Sequence, residues 1–366
     1  MSSRLKIIHV SSPLTWRGGE QQVWYLHHGL QKHGVNSHVF CPQGSVLAER
    51  LGNAHITTFH KRAGLDVNAA MHFASWCKYN DPDIIHAHDA HAHSIVMIAF
   101  SFFGAKCPVV LSRRVDFPLK KKWFTRWKYN HQGIHTILCV SDAIKRIVES
   151  SLYNKFIRVT TVHSGVDTNR FSHEAKTDWR KTLGLDPNHK LIGNVAALAD
   201  HKDYFTFLKV ADYLCGFRTD VDFIICGDGP LKKELMKAHG KLQHKERVHF
   251  VGFQEDLGSV YSALDVLLFT SKTEGLGTSI LDAMAFDVPV VATNTGGIPE
   301  IVQHGNSGLL AEVGDFENLA KEVIAVLDNA DLAAKLALGG RKMVHHFSVQ
   351  NMVDKTLDAY QKIINK

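Results

Sequence analysis

No apolar run in the chain approaches the roughly 18 residues that a bilayer-spanning helix requires. The most apolar stretch, Ile95 to Phe103, is far shorter and reads as a buried helix. The N-terminal segment lacks the apolar core of a signal peptide, and Lys6 to Val10 reads as a first buried strand instead. Six cysteines (Cys41, Cys77, Cys107, Cys139, Cys215 and Cys226) form no C-x-x-C pair and mostly lie in apolar segments. Reduced, buried thiols in a cytoplasmic protein are therefore expected. There is no repeat of solenoid length, which excludes the stacked-repeat architectures. There is also no recognisable nucleic-acid-binding module and only one basic stripe, so nucleic acid is not an expected partner. A formal charge of +6 over 366 residues is too small to name an anionic partner by its total.

What is present is an alternation of short apolar strands and amphipathic helices. At about 150 residues per domain, the length predicts two domains. Strands read at 5–10, 35–41, 83–88, 109–112 and 137–140, then at 191–196, 221–227, 247–252, 265–269 and 289–292. Helices fill the intervals in both halves, which predicts two doubly wound parallel sheets. A polar segment after the strand beginning at Arg158 marks the boundary between them.

The richest stretch is Glu274 to Pro289, EGLGTSILDAMAFDVP. A carboxylate and two glycines lead through Thr278 and Ser279 into an apolar helix, with strands on either side. In a βαβ unit this puts a helix N-terminus, with its unpaired N–H groups, at the sheet edge where a phosphate can bind. Glu274 and Asp282 bracket that terminus. Other strand ends carry Asp200-His201-Lys202, the GDGP turn at Gly227 to Pro230, and Val251-Gly252-Phe253. Strand ends of one parallel sheet converge, so Lys202 is expected to contact a phosphate there.

The first half has its own strand-end signals. Gly18 and Gly19 lie in a loop expected to precede a helix at 21–33. HAHDAHAH (86–93) has the composition of a metal cluster. It crosses from strand to helix, however, so its five side chains are expected to diverge and His88 and Asp89 to line a cleft edge. Arg113, Arg114 and Asp116 follow the next strand. Residues 117–130 mix Lys120, Lys121, Lys122, Arg126 and Lys128 with Trp123, Phe124 and Trp127. That mixture suits an anionic membrane surface better than a plain solvated helix face.

RGGEQQ, HAHD, the segment Ser164 to Phe171, GDGP, VGF, the pair Glu274–Asp282 and TGGIPEIV (295–302) occur in that order. As an ordered set they resemble the retaining glycosyltransferases of family 4, of GT-B fold, and among these the bacterial enzymes of lipopolysaccharide and envelope polysaccharide synthesis. The resemblance spans nearly the whole chain. It implies two Rossmann-like domains facing a central cleft: an acceptor domain (1–168), a donor domain (169–345) and a last helix (346–366) returning to the first. It implies transfer of a sugar from a nucleotide-diphosphate donor to a hydroxyl of a glycan or glycolipid, at the inner face of the plasma membrane, without a metal or other cofactor. By the same resemblance Glu274 contacts the donor sugar and Asp282 the ribose, and Lys202 stabilises the departing diphosphate. Gly277, Thr278 and Ser279 hold phosphate or sugar, with Gly227 also on the donor side. Phe253 frames the base, and Gly18 and Gly19 approach the diphosphate. His88, Asp89, Arg113 and Arg114 lie on the acceptor or cleft side. Two departures stand out: Asp282 is shorter than the family's second glutamate, and Ala197 replaces its arginine. They favour, as alternatives, a non-catalytic nucleotide- or membrane-binding scaffold; a nucleotide-sugar epimerase has a different motif set.

Overall fold

The structure is a computed structural model and describes residues 5–119, 122–167 and 177–365. The chain divides into two compact units. Unit 1 comprises Met1–Gly165 and Val349–Lys366, and unit 2 comprises Val166–Ser348. The sequence reading places the divisions at 168/169 and 345/346, within three residues of these.

Unit 1 has a seven-stranded parallel sheet. Its strands are β1 (Lys6–Val10), β2 (Asn36–Pro42), β3 (Ile56–Phe59), β4 (Ile84–Ala87), β5 (Val109–Arg113), β6 (Ile134–Cys139) and β7 (Arg158–Thr161). They are ordered β3-β2-β1-β4-β5-β6-β7. The chain therefore winds outward from β1 in one direction and then, from β4, in the other. The last helix, Val349–Ile364, packs against this sheet. Its Val353, Tyr360 and Ile363 share a core cluster with Ile7, Leu26, Leu30, Ile84 and Val110. A Cβ on Gly29 would lie 2.4 Å from the Val353 side chain, so the absence of a side chain there lets the Gly18–Lys32 helix approach it closely.

Unit 2 has six parallel strands: β8 (Lys190–Val195), β9 (Val221–Cys226), β10 (Val248–Gly252), β11 (Val266–Phe269), β12 (Val290–Thr293) and β13 (Leu309–Ala311). Their order is β10-β9-β8-β11-β12-β13, again with one reversal, between β8 and β11. The central strands are continuous apolar runs because helices cover both faces. β9 (VDFIIC) and β11 (VLLF) are buried at every position. Even Asp222 in β9 is 3 % exposed, its carboxylate bonded to His189 and His249.

Three expectations need correction. Gly18 and Gly19 do not form a loop; they open the helix Gly18–Lys32, which starts three residues before the expected 21. The strand expected to run from Arg158 to the glycine turn at Gly165 ends earlier, at Thr161, and 168–176 lie outside the described residues, including the end of the Ser164 to Phe171 segment. The edge strands β3 and β13 are absent from the sequence reading. They are short and carry few alternating apolar positions, so pairing with a neighbour rather than a local pattern defines them.

Candidate active site

In an open parallel sheet, the loops leaving the two strands at the reversal separate and form a crevice. In unit 2 these are the loops after β8 and β11, and they bring Lys202 and Glu274 together. Lys202 Nζ forms an ion pair with Glu274 Oε2, with side-chain exposures of 14 % and 13 %. The Ser271 hydroxyl donates to the same carboxylate oxygen at 3.4 Å. Lys202 Nζ also lies 4.9 Å from the centre of the Phe269 ring. A largely shielded pair of this kind contributes little net stability, because desolvation offsets the attraction. Its chemical value is that each partner holds a charge ready for exchange with a ligand.

Backbone hydrogen bonds fix both residues. The Lys272 N–H donates to the His201 carbonyl (2.8 Å) and the Gly297 N–H to the Glu274 carbonyl (2.9 Å). The Gly227 N–H donates to the Gly252 carbonyl (2.8 Å) and the Leu198 N–H to the Asp228 carbonyl (3.1 Å). The loops after β10, β9, β8, β11 and β12 are thus joined in a row. Thr270 Oγ1 donates to the carbonyls of Lys202 (3.1 Å) and Asp203 (3.0 Å), and Thr293 Oγ1 to that of Ser271 (2.7 Å). Two glycines make the row possible. A Cβ on Gly227 would stand 2.0 Å from the Ala196 carbonyl oxygen, and one on Gly296 (φ +55°) 2.1 Å from that of Glu274. Gly227, expected to face the donor, therefore has a structural reason to be glycine: contact between two loops.

The helix Thr278–Ala285 starts beside this pair, with Gly277 (φ +94°) as its left-handed N-cap. The N–H groups of Thr278 and Ser279 belong to a first turn with no intrahelical acceptor behind it. Asp282 lies one turn further on and is 5 % exposed. Phe253, beyond β10, is 72 % exposed. Ala197 leaves Lys202 and His201 as the basic side chains of the β8 loop.

In unit 1 the reversal falls between β1 and β4. The Ser12 N–H donates to Asp89 Oδ2 at 2.8 Å, and its hydroxyl donates to Oδ1. Asp89 also caps the helix Ala90–Phe102, accepting from the N–H groups of His91 (3.0 Å) and Ala92 (2.9 Å). Glu20 accepts from the Arg17 N–H at 2.9 Å. Burial raises the pKa of Glu20 and brings that of Arg114 down to about 10, with Glu20 and Asp89 opposing the latter. A Cβ on Gly19 would be 4.0 Å from Arg114 Cδ, so Gly19, Glu20, Asp89 and Arg114 share one neighbourhood. Arg113 does not join them. Its guanidinium donates to Tyr129 Oη (3.1 Å) and the Phe117 carbonyl (2.5 Å), and is 7 % exposed.

HAHDAHAH requires a correction of its own, since its side chains do not all diverge. The rings of His86 and His88 stand 4.0 Å apart, and His9 of β1 joins them. Alternation along β4 carries the information for the first two; His9 comes from a distant strand and has no local signal. His93 is elsewhere, bonded to the Lys128 carbonyl. Residues 117–130 divide in a similar way. Lys120 and Lys121 lie outside the described residues. Lys128 is buried, its Nζ donating to the Ala90 carbonyl (2.9 Å) and Ser94 Oγ (3.1 Å), and burial lowers it to about 8. Lys122 and Arg126 are exposed, as are Trp123 (78 %) and Phe117 (54 %). Among the described residues no helix is long and apolar enough to cross a membrane.

Two family models match the chain: "Glycosyltransferase Family 4" over residues 16–170 and "Glycosyl transferases group 1" over 175–343. The UDP-Gal:alpha-D-GlcNAc-diphosphoundecaprenol alpha-1,3-galactosyltransferase of Escherichia coli is 24 % identical, over 100 % of this chain and 99 % of its own. A glycosyltransferase from Rickettsia africae has a similar structure (TM-score 0.84, 18 % identity, 100 % of both chains). So does Anabaena Alr3699/HepE, solved in complex with UDP-glucose (TM-score 0.81, 21 % identity, 98 % of this chain and 100 % of that one). The chain belongs to the family 4 glycosyltransferases, built from the two Rossmann-like units of the GT-B fold.

Proposed function

We propose that the protein transfers a hexosyl group from a uridine-diphosphate sugar to a hydroxyl of a glycan or lipid-linked glycan in cell-envelope synthesis, with retention of anomeric configuration. The observation that carries this reading is the Lys202–Glu274 pair beside the first turn of the Thr278–Ala285 helix. On donor binding, Lys202 exchanges Glu274 for the diphosphate, and the Thr278 and Ser279 N–H groups face the phosphate oxygens or the sugar. Glu274, released, faces the sugar. As the anomeric C–O bond to the diphosphate breaks, the acceptor oxygen bonds to the anomeric carbon and its proton passes to the departing diphosphate; the negative charge that grows on this leaving group is stabilised by Lys202 and the helix terminus. That charge is met by protein groups, so turnover is expected without added Mg2+. Asp282 would hold the ribose and Phe253 would border the base. On unit 1, Gly18, Gly19, Asp89 and Arg114 would serve the diphosphate and acceptor sides, whereas His88, 5 % exposed with both ring nitrogens engaged, faces the core. The uridine assignment rests on the UDP-sugars named for two relatives.

Exposed Trp123, Phe117, Lys122 and Arg126 suit docking on an anionic membrane, which would place the enzyme on the inner face of the plasma membrane. Sedimentation with vesicles containing phosphatidylglycerol, but not with phosphatidylcholine alone, should show this, and Trp123→Ala should weaken it.

Calorimetric titration with UDP, GDP, ADP and CMP tests the donor site. Selective binding of UDP that is lost in Lys202→Ala supports the reading. Binding of none of them would favour the non-catalytic scaffold, with Ala197 and Asp282 as its cause. The anomeric coupling constant of the purified product, read by NMR, decides retention.

A further inference from the structure

Beneath the β1–β4 reversal of unit 1, a chain of side-chain hydrogen bonds runs through the core. Tyr360 Oη contacts His86 Nδ1 at 2.6 Å, and His86 Nε2 contacts Ser112 Oγ at 2.8 Å. Ser112 Oγ lies 3.4 Å from His88 Nδ1, and His88 Nε2 lies 2.9 Å from His9 Nδ1. His9, His86 and His88 are 0 %, 1 % and 5 % exposed. A neutral imidazole has one N–H and one lone pair, so the chain runs in one of two directions. Either direction leaves His9 Nε2 buried without a partner. An unmet buried polar atom costs roughly 1–3 kcal/mol, which makes this end of the chain conspicuous.

We propose that His9, His86 and His88 form a binding site for one zinc-class dication. One ring nitrogen from each residue lies within 4.8 Å of the others. Tetrahedral coordination at Zn–N distances of about 2.0–2.1 Å puts neighbouring donor atoms roughly 3.4 Å apart. Binding therefore requires the rings to turn out of their present hydrogen bonds. Three histidines with a fourth position for water is an established zinc donor set. Tyr360, bonded to His86 Nδ1, orients that ring as outer partners of metal-binding histidines do, which leaves Nε2, here on Ser112 Oγ, as its donor atom. Ser112 Oγ already sits between His86 and His88, where a water in the fourth position would find a partner. The nearby charge of Arg114 opposes a cation, but Arg114 itself interacts with Glu20 and Asp89. The inference does not depend on the donor chemistry of unit 2.

The test uses the full-length protein, stripped of metal and titrated with Co2+ above pH 7. With 24 histidines in the sequence, surface binding must be separated from the site, so variants carry the assignment. The expected result is a visible tetrahedral Co2+ band that saturates at one equivalent, is bleached by Zn2+ and is absent in His9→Gln and His88→Gln. Tyr360→Phe should weaken binding about 10- to 100-fold, the usual effect of removing an outer partner. No band, or a band unchanged in both histidine variants, overturns the proposal. If those variants misfold, a Co2+-soaked wild-type crystal decides. Anomalous density between the three rings supports the site, and density confined to surface histidines overturns it.

Discussion

The two units place polar residues at the same topological point but secure them in opposite ways. In unit 2 the loops around the sheet reversal are held by backbone bonds, such as Lys272 to His201 and Gly297 to Glu274. The side chains of Lys202 and Glu274 are thereby free for chemistry. In unit 1 side chains themselves are the fasteners: Asp89 secures Ser12 and a helix N-terminus, and His86 connects Ser112 to Tyr360. Function and stability should therefore be separable in unit 2 and coupled in unit 1.

The largest effect that sharpens this contrast is expected at Glu274. Glu274→Ala should lower kcat by about 10²-fold or more while UDP binding and the melting temperature stay close to wild type, read by turnover, calorimetry and thermal unfolding. A large fall in melting temperature would break the contrast. Lys202→Ala comes next. Losing a charge-assisted bond worth about 1.5–3 kcal/mol should weaken UDP binding roughly 10- to 100-fold, with a smaller effect on uridine. Gly296→Ala attacks the backbone fastening itself. Its Cβ would overlap the Glu274 carbonyl at a φ of +55°. A loss of about 1–3 kcal/mol in urea denaturation is expected, together with reduced turnover.

The smallest effect per residue concerns acid. An unfolded histidine titrates near 6.5, whereas burial holds His27 of unit 1 to about 3 and His38 to about 4. Above pH 6.5 both states are neutral and nothing changes. Below it the unfolded chain takes up protons that the folded chain refuses, so stability falls as the pH drops toward those lower values. The slope is at most about 1.4 kcal/mol per pH unit and histidine. Hydrogen exchange at pH 7.5 and 5.5 should show unit 1 losing protection; equal loss in unit 2 would remove the distinction.

Much of unit 2 was legible because its signals are local. A strand, a glycine turn and an apolar helix follow one another at 265–285, and residues so close in sequence leave little freedom in how they fold. Lys202 was readable as a strand-end residue for the same reason. The fastenings were not, since the contact of Gly296 with Glu274 joins loops on neighbouring strands, and Ser271, Thr270 and Thr293 look like any strand-end polar residues. In unit 1, Asp89 was singled out, but its partner Ser12 is 77 residues away. A separation of 79 residues hid His9 from His88. Arg113 and Arg114 are adjacent with identical chemistry, and only packing against Tyr129 and Phe117 separates the structural one from the one beside Asp89.

The helix Val349–Ile364 supplies Tyr360 to unit 1, although all of unit 2 precedes it in the chain. Synthesis runs from the N-terminus, at about 5–20 residues per second. The sheet of unit 1 therefore lacks the helix that covers Ile7, Ile84 and Val110 until residues 349–364 have followed all of unit 2. A chain cut after Ser348 would leave that apolar face open, so unit 1, begun first, is completed last.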